Sequence, residues 1–266
     1  MLDILHYSLA AGSGALVGLA LGLVGGGGSI LAVPLMLYVV GVRNPHVAIG
    51  TSALAVAASA GTGLLNHSRS GTVKWRCAGM YAAAGVAGAL AGSTAGKAFD
   101  GQKLLFLFAI VMMIIGVMML RSRGGSGNPD AECNRENAVK VVGYGFGTGV
   151  LSGFFGIGGG FLIVPGLVGS TGMPMINAIG SSLVAVTAFG LTTALNYALS
   201  GLVDWAVALM FVTGGVFGGF VGVRLAKHLS QTRGILTSIF AVLIFTVACY
   251  MLWRSAAAFG LMNYCF

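Results

Sequence analysis

Apolar runs interrupted more often by glycine than by charge make up most of the chain. Val141 to Val203 holds 63 consecutive positions without Asp, Glu, Lys, Arg or His, and Tyr7–Val42 is a second such run of 36. A membrane-crossing helix takes about 20 apolar residues, so both runs must fold back on themselves. Single crossings are predicted over Cys77–Gly96, Leu104–Leu120, Trp205–Val223 and Gly234–Trp253. His46–Asn66 and Met175–Tyr197 are also long enough to cross, with Ser and Thr inside them. Tyr7–Val24 is a further crossing, but Ile30–Val40 has only 11 residues, about 16 Å at 1.5 Å per residue. That is half a bilayer. Val139–Phe155 followed by Phe161–Val168 repeats the arrangement, so each pair reads as a helix, a glycine break and a half-helix. Non-helical backbone at membrane depth survives only when it is buried in protein or lines a wet cavity.

The two halves match. At an offset of 131, Gly18, Gly22, Gly25, Gly27, Gly28, Leu31, Val33 and Pro34 fall on Gly149, Gly153, Gly156, Gly158, Gly159, Leu162, Val164 and Pro165. From Ala48 to Lys97 the offset is 130, and 21 of 50 positions are identical. Asn66 then faces Asn196, Trp75 faces Trp205 and Lys97 faces Lys227. Shared abundance of Gly and Ala explains some identities; coincidence of Asn, Trp and Pro marks a duplication.

Composition narrows the class. Of 266 residues, 57% are hydrophobic and 8% charged, with a mean hydropathy of +0.94. A soluble domain carries roughly 25% charged residues, so a soluble enzyme, a disordered regulator and a nucleic-acid binder are all excluded. Four irregularly spaced cysteines (Cys77, Cys133, Cys249, Cys265) form no CxxC and indicate neither a metal site nor a disulfide framework. The N-terminus, with Asp3 and no basic stretch, does not read as a cleavable signal peptide. No cofactor is expected, and a lipid bilayer is the expected surrounding.

The 14 Lys and Arg against 6 Asp and Glu fit basic cytoplasmic loops, because Lys and Arg are retained on that side. Asn66–Arg76 carries Arg69, Lys74 and Arg76, whereas its counterpart Asn196–Ala206 carries no Lys or Arg; one span later the bias reverses, with Arg224, Lys227 and Arg233. Opposite bias in equivalent loops indicates opposite orientation. The fold class is therefore all-α: a polytopic helical membrane protein of two inverted-topology repeats, each of about four to five helical segments, with discontinuous helices at the glycine breaks. Residues 1–120 form the first repeat, 121–140 a cytoplasmic linker and 141–266 the second repeat, with both termini outside. Such an architecture is that of many secondary transporters.

The breaks, Gly25-Gly26-Gly27-Gly28-Ser29 and Gly156-Ile157-Gly158-Gly159-Gly160, carry the candidate chemistry. A half-helix presents free N–H groups and a positive dipole end, and two such ends facing each other would hold an anion without a buried Lys or Arg. The alternative is a glycine interface for tight packing. Ser29 is placed to cap its half-helix, where the second half has Gly160. Pro34 and Pro165 follow each break, free to kink the short helix. Thr51-Ser52 and Ser181-Ser182 offer hydroxyl donors to an oxyanion or bond back to their own helix carbonyls. Asn66 and Asn196 either cap a helix end or line the pathway. Lys97 and Lys227 snorkel or gate an anion, and the series Gly88, Gly92, Gly96 and Gly214, Gly218, Gly222 is packing chemistry.

At these residues the chain resembles the TauE/SafE family of sulfite and organosulfonate exporters. The matching features are Gly25-Gly-Gly-Gly-Ser-Ile-Leu-Ala-Val-Pro34 and Gly156-Ile-Gly-Gly-Gly-Phe-Leu-Ile-Val-Pro165, each followed by Gly50-Thr51-Ser52 or Gly180-Ser181-Ser182. The resemblance implies a prokaryotic inner-membrane carrier exporting sulfite, sulfoacetate or a related small sulfur oxyanion, with proton coupling as a family option and a homodimer as one assembly open to it. An anion channel, or a carrier for another small anion, is the competing reading. The chain has no GxxxxGK[ST] loop for ATP, no carboxylate inside a span, and no His or Lys base within the charge-free runs to support an intramembrane enzyme.

Overall fold

A computed structural model of the chain describes residues 2–121, 133, 135–228, 242 and 244–254, and among them every regular element is helical. The first half runs α1 (Leu2–Val24), a 3-10 segment (Gly25–Leu31), α2 (Ala32–Tyr38), α3 (Pro45–Arg69), α4 (Trp75–Ala98) and α5 (Gly101–Arg121). The second runs α6 (Arg135–Phe155), α7 (Gly160–Thr171), α8 (Met175–Ala198) and α9 (Trp205–His228), with a further helix α10 at Ile244–Arg254. Most of the expected linker 121–140 and part of the expected crossing Gly234–Trp253 lie outside the described residues.

Among the described residues, five helical stretches are long and apolar enough to cross a membrane: Leu5–Leu23, Pro45–Arg69, Asn137–Phe155, Met175–Ala198 and Trp205–Gly222. At 24 residues α4 has the same length as α8, but Gly, Ala and Ser supply much of its surface, so it is less apolar. The short α2 and α7 fall where half-helices are expected.

Glycine sets the spacing between helices. A Cβ added to Gly88 or Gly92 would run into the backbone of Phe146 and Val150 on α6. Gly145, Gly149 and Gly153 return the contact to Tyr81, Gly85 and Ala89 on α4. The same relation joins α1 and α9, where Gly214, Gly218 and Gly222 sit on Ala11, Ala15 and Leu19, and Gly14 and Gly18 sit on Phe211 and Gly215. Both backbone-to-backbone interfaces pair a helix of one half with a helix of the other. Without a hydrophobic drive between helices in lipid, such close approach and the dispersion contacts it allows hold the bundle together.

Between these pairs α3 and α8 run antiparallel through the centre. Gly50 rests on Tyr197 and Leu202, Gly190 on Ala53 and Ala57, Gly61 near Thr187, Gly63 on Leu183 and Gly180 on Thr72. Ala53, Ala55, Val56, Ala57 and Ala60 of α3 and Ala185, Val186 and Phe189 of α8 are fully buried.

One sequence expectation is overturned. Cys77 and Cys133 form a disulfide, with Cα atoms 5.4 Å apart. Linear spacing gave no sign of the bridge, because 56 residues separate its ends and only folding α4 and α5 back brings the start of α6 beside the first turn of α4. Cys249 is free and exposed.

Candidate functional site

The long helices stop at the glycines: α1 ends at Val24 and α6 at Phe155. The first break is itself helical, a seven-residue 3-10 segment containing Gly25, Gly26, Gly27, Gly28 and Ser29. Leu31, with no side-chain cap bond, holds the N-cap position of α2. Ser29 is therefore not at the N-cap position of α2; it lies two residues earlier, fully buried. At the second break Gly156, Gly158 and Gly159 take φ of +67°, +66° and +65°, a left-handed conformation that a Cβ makes costly. Gly159 is the N-cap of α7, and its carbonyl accepts from the N–H groups of Leu162 and Ile163 at 2.9 and 3.0 Å. Gly160 opens α7, and Pro165 lies within it. Pro34 is buried in the first turn of α2.

Both breaks fold back on the helix before them. A Cβ on Gly28 would strike Ala20 and Leu21, and one on Gly159 would strike Ser152, the position corresponding to Leu21. The second break lies in the seam between α3 and α8: Gly156 abuts the Ile49 side chain, and a Cβ on Gly158 would come within 2.9 Å of Val56 and 3.4 Å of Val186. The 3-10 segment packs in turn on α7 and α8. The two breaks thus share one central neighbourhood, lined by neutral groups and by the first turn of α7.

The hydroxyl pairs divide into two kinds. Ser52 donates to the Ile49 carbonyl at 3.0 Å and Ser182 to the Ile179 carbonyl at 2.8 Å. These are bonds within their own helices. Thr51 and Ser181 act across the molecule. The Thr51 hydroxyl accepts from the Asp204 N–H at 3.0 Å, and the Ser181 hydroxyl accepts from the Lys74 N–H at 3.0 Å. Each donor immediately precedes a long helix of the opposite half, α9 or α4, so each hydroxyl satisfies an N–H at a helix start. Among the described residues neither hydroxyl donates onward, so both protons remain available to a ligand.

The two asparagines differ. Asn196 Nδ2 donates to Ser93 Oγ at 2.6 Å and Thr94 Oγ1 at 3.1 Å. Lys97 Nζ donates to Asn196 Oδ1 at 2.9 Å, to its carbonyl at 3.1 Å and to Ser200 Oγ at 2.8 Å. Asn196 is a tie between α8 and α4. Asn66, by contrast, lines a cleft between α1, α3, α8 and α9, with Ser59, Thr62, Gly63 and His67 along the α3 wall. His67 Nδ1 lies 3.0 Å from the Thr72 hydroxyl.

Sequence reasoning passed over Ser152, Thr193 and Tyr197, whose hydroxyls are buried without a partner among the described residues. No motif marks them. The signal available was the mismatch between halves, since they stand where the first half has Leu21, Gly63 and His67.

Residues 10–251 match the family model described as sulfite exporter TauE/SafE. A probable membrane transporter protein of Xylella fastidiosa (strain 9a5c) is 52% identical over 255 residues, covering 93% of this chain and 95% of the relative. The probable membrane transporter protein YunE of Bacillus subtilis (strain 168) is 26% identical, covering 91% and 95%. YdhB of the same strain, another probable membrane transporter protein, is 24% identical over 79% of this chain and 86% of the relative. No solved structure matches. With its interrupted helices, buried glycine contacts and a match over nearly its whole length, the chain is a polytopic helical membrane transporter belonging to the sulfite exporter TauE/SafE family.

Proposed function

We propose that the chain is a secondary carrier that exports a small sulfur-containing anion, sulfite, sulfoacetate or a related organosulfonate, by alternating access between two inverted repeats. The observation that carries this reading is that the second glycine break sits in the α3–α8 seam while the first packs on α7 and α8 beside it. In this reading the backbone of Gly25, Gly26, Gly27 and Gly28 and of Gly156, Gly158, Gly159 and Gly160 forms the binding surface, with the hydroxyls of Thr51 and Ser181 at the two ends of the seam. Backbone N–H groups at the start of α7, aided by its dipole, suit an oxyanion, and the two polarised hydroxyls add donors. Positive charge at the centre would bind too tightly to release; neutral donors hold an anion and let it go. Ser52 and Ser182 bond back to their own helices and would turn to a ligand only by giving up those bonds, and Asn66 and Asn196 stand at the two ends of the route.

The basic loops put 121–140 and Arg69–Arg76 in the cytoplasm and both termini outside, in the inner membrane of a prokaryote. No carboxylate lies within the described spans to serve proton coupling, which leaves histidines such as His46 and His67 of α3, or the substrate itself, to carry a proton. The test is uptake by proteoliposomes offered sulfite, sulfoacetate, thiosulfate or sulfate, with and without a pH gradient. Saturable flux of sulfite or sulfoacetate supports the reading. No flux of any of the four overturns the substrate assignment, and flux linear in concentration overturns the carrier mechanism.

A further inference from the structure

The duplication relates the cleft at Asn66 to a place in the other half that is shut. Its lining residues Leu21, Gly63, Asn66 and His67 correspond to Ser152, Thr193, Asn196 and Tyr197. Ser152, Thr193 and Tyr197 are fully buried, and among the described residues their hydroxyls have no partner. Buried hydroxyls are normally hydrogen-bonded; of the four without a partner among the described residues, Ser13 and these three, the three stand at counterparts of residues that wall the open cleft. Ser59, which leaves the cleft open, has Phe189 as its counterpart. Phe189 is fully buried and stacks on Tyr81 with ring centroids 6.4 Å apart. It fills the space.

Lys97 closes the same end. All of its acceptors are neutral: two oxygens of Asn196 and the hydroxyl of Ser200. Its ammonium also lies 6.0 Å from the centre of the Tyr197 ring. An oxyanion adds to such hydrogen bonds a Coulomb attraction that neutral acceptors lack, so an arriving oxyanion competes with Asn196 and Ser200 for this cation.

We propose that Ser152, Thr193, Asn196 and Tyr197 line a second, closed cleft for a small oxyanion, the twin of the one at Asn66, and that Lys97 is its latch. Anion capture by Lys97 releases Asn196 and draws α4 from α8. The buried hydroxyls then meet water and ligand as the Asn66 cleft shuts. This rests on the carrier reading above.

The test uses the full chain in proteoliposomes and does not depend on which anion is carried. Thr193→Cys reports on the closed cleft and Gly63→Cys on the open one; a Cβ at Gly63 meets Leu183 only at 3.5 Å. Labelling by a small charged maleimide is followed at each position by peptide mass spectrometry, which separates it from Cys249. In Lys97→Met, labelling at 193 is expected to rise roughly tenfold, as when a minor state of a few per cent becomes a major one, and labelling at 63 to fall. Lys97→Arg restores both rates. Unchanged rates at both positions overturn the proposal. A rise at both also overturns it, because it shows a loosened bundle and no exchange of clefts. Lack of sulfite flux with the labelling exchange intact would condemn the substrate assignment and leave the twin cleft standing.

Discussion

Thr51 and Ser181 each accept one hydrogen bond, at the same distance of 3.0 Å, from the residue that precedes a long helix of the other half. The tie links each central helix to the opposite repeat at both ends of the α3–α8 seam. Thr51→Val leaves the Asp204 N–H without its acceptor and is expected to cost about 1–3 kcal/mol, read as a lowered Tm in detergent. Ser181→Ala should do the same to Lys74. Ser52→Ala removes only a bond within its own helix and orphans no backbone N–H, so its stability loss should be smaller, at most about 1 kcal/mol. Equal Tm losses for Thr51→Val and Ser52→Ala would refute the distinction.

The second break depends on glycine. At Gly158 an alanine must adopt φ near +66° and also approach Val56. The backbone strain alone is about 1–3 kcal/mol. Gly158→Val and Gly27→Val are both expected to abolish flux in proteoliposomes while insertion into the membrane persists. Wild-type flux in both variants would show that the breaks serve no site.

Substitutions at the interhelical glycines should sort by what faces them. Gly92→Leu drives a side chain into the backbone of Val150 and Phe154 and is expected to prevent a monodisperse peak in size-exclusion chromatography. A Cβ added at Gly79 or Gly147 would meet no atom within 4 Å, so leucine there faces open space. Those two variants should elute like the parent.

The asparagines should be unequal. Asn196→Ala strips Lys97 of one acceptor and leaves Ser93 and Thr94 without their donor; a loss of about 1–3 kcal/mol is expected. Asn66→Ala removes a wall of a cleft and should leave Tm nearly unchanged while raising the KM for export. Similar melting shifts in the two would argue against one closed and one open end.

Cys77 and Cys133 report which side of the membrane they face. If the basic loops lie in the cytoplasm, as proposed, both are expected to be thiols in growing cells, because that compartment is reducing. The bridge then forms on purification in air. It stabilises by about 2–4 kcal/mol, so the oxidised protein should melt higher than the reduced one. Alkylation in intact cells, followed by mass spectrometry, checks this. A pair already closed in freshly quenched cells would reverse the proposed orientation.

Much of the architecture is legible without coordinates. The ends of α1 and α6 fall at Val24 and Phe155 because Gly25 and Gly156 begin runs that no helix tolerates cheaply, and the half-length of α7 follows from counting apolar residues. Ser29 illustrates the limit. A hydroxyl before an apolar run is a sound capping signal, but the 3-10 turn carries the chain two residues further before α2 starts. The roles of Thr51 and Ser52 were equally hidden: adjacent hydroxyls point to different sides of a helix, and only the neighbouring chain decides which meets Asp204. The Cys77–Cys133 bridge and the Lys97–Asn196 tie join positions 56 and 99 residues apart, a separation no local pattern encodes.

The glycine contacts of α1 with α9 and of α4 with α6 bear on how the protein is made. When the ribosome has finished the first four helices, their notched surfaces still lack the partners that fill them. Those partners are translated later, so the early helices must wait unpaired in the bilayer or beside the translocon. A chain truncated before α9 therefore leaves α1 with its notches against lipid, a form that quality-control proteases should remove.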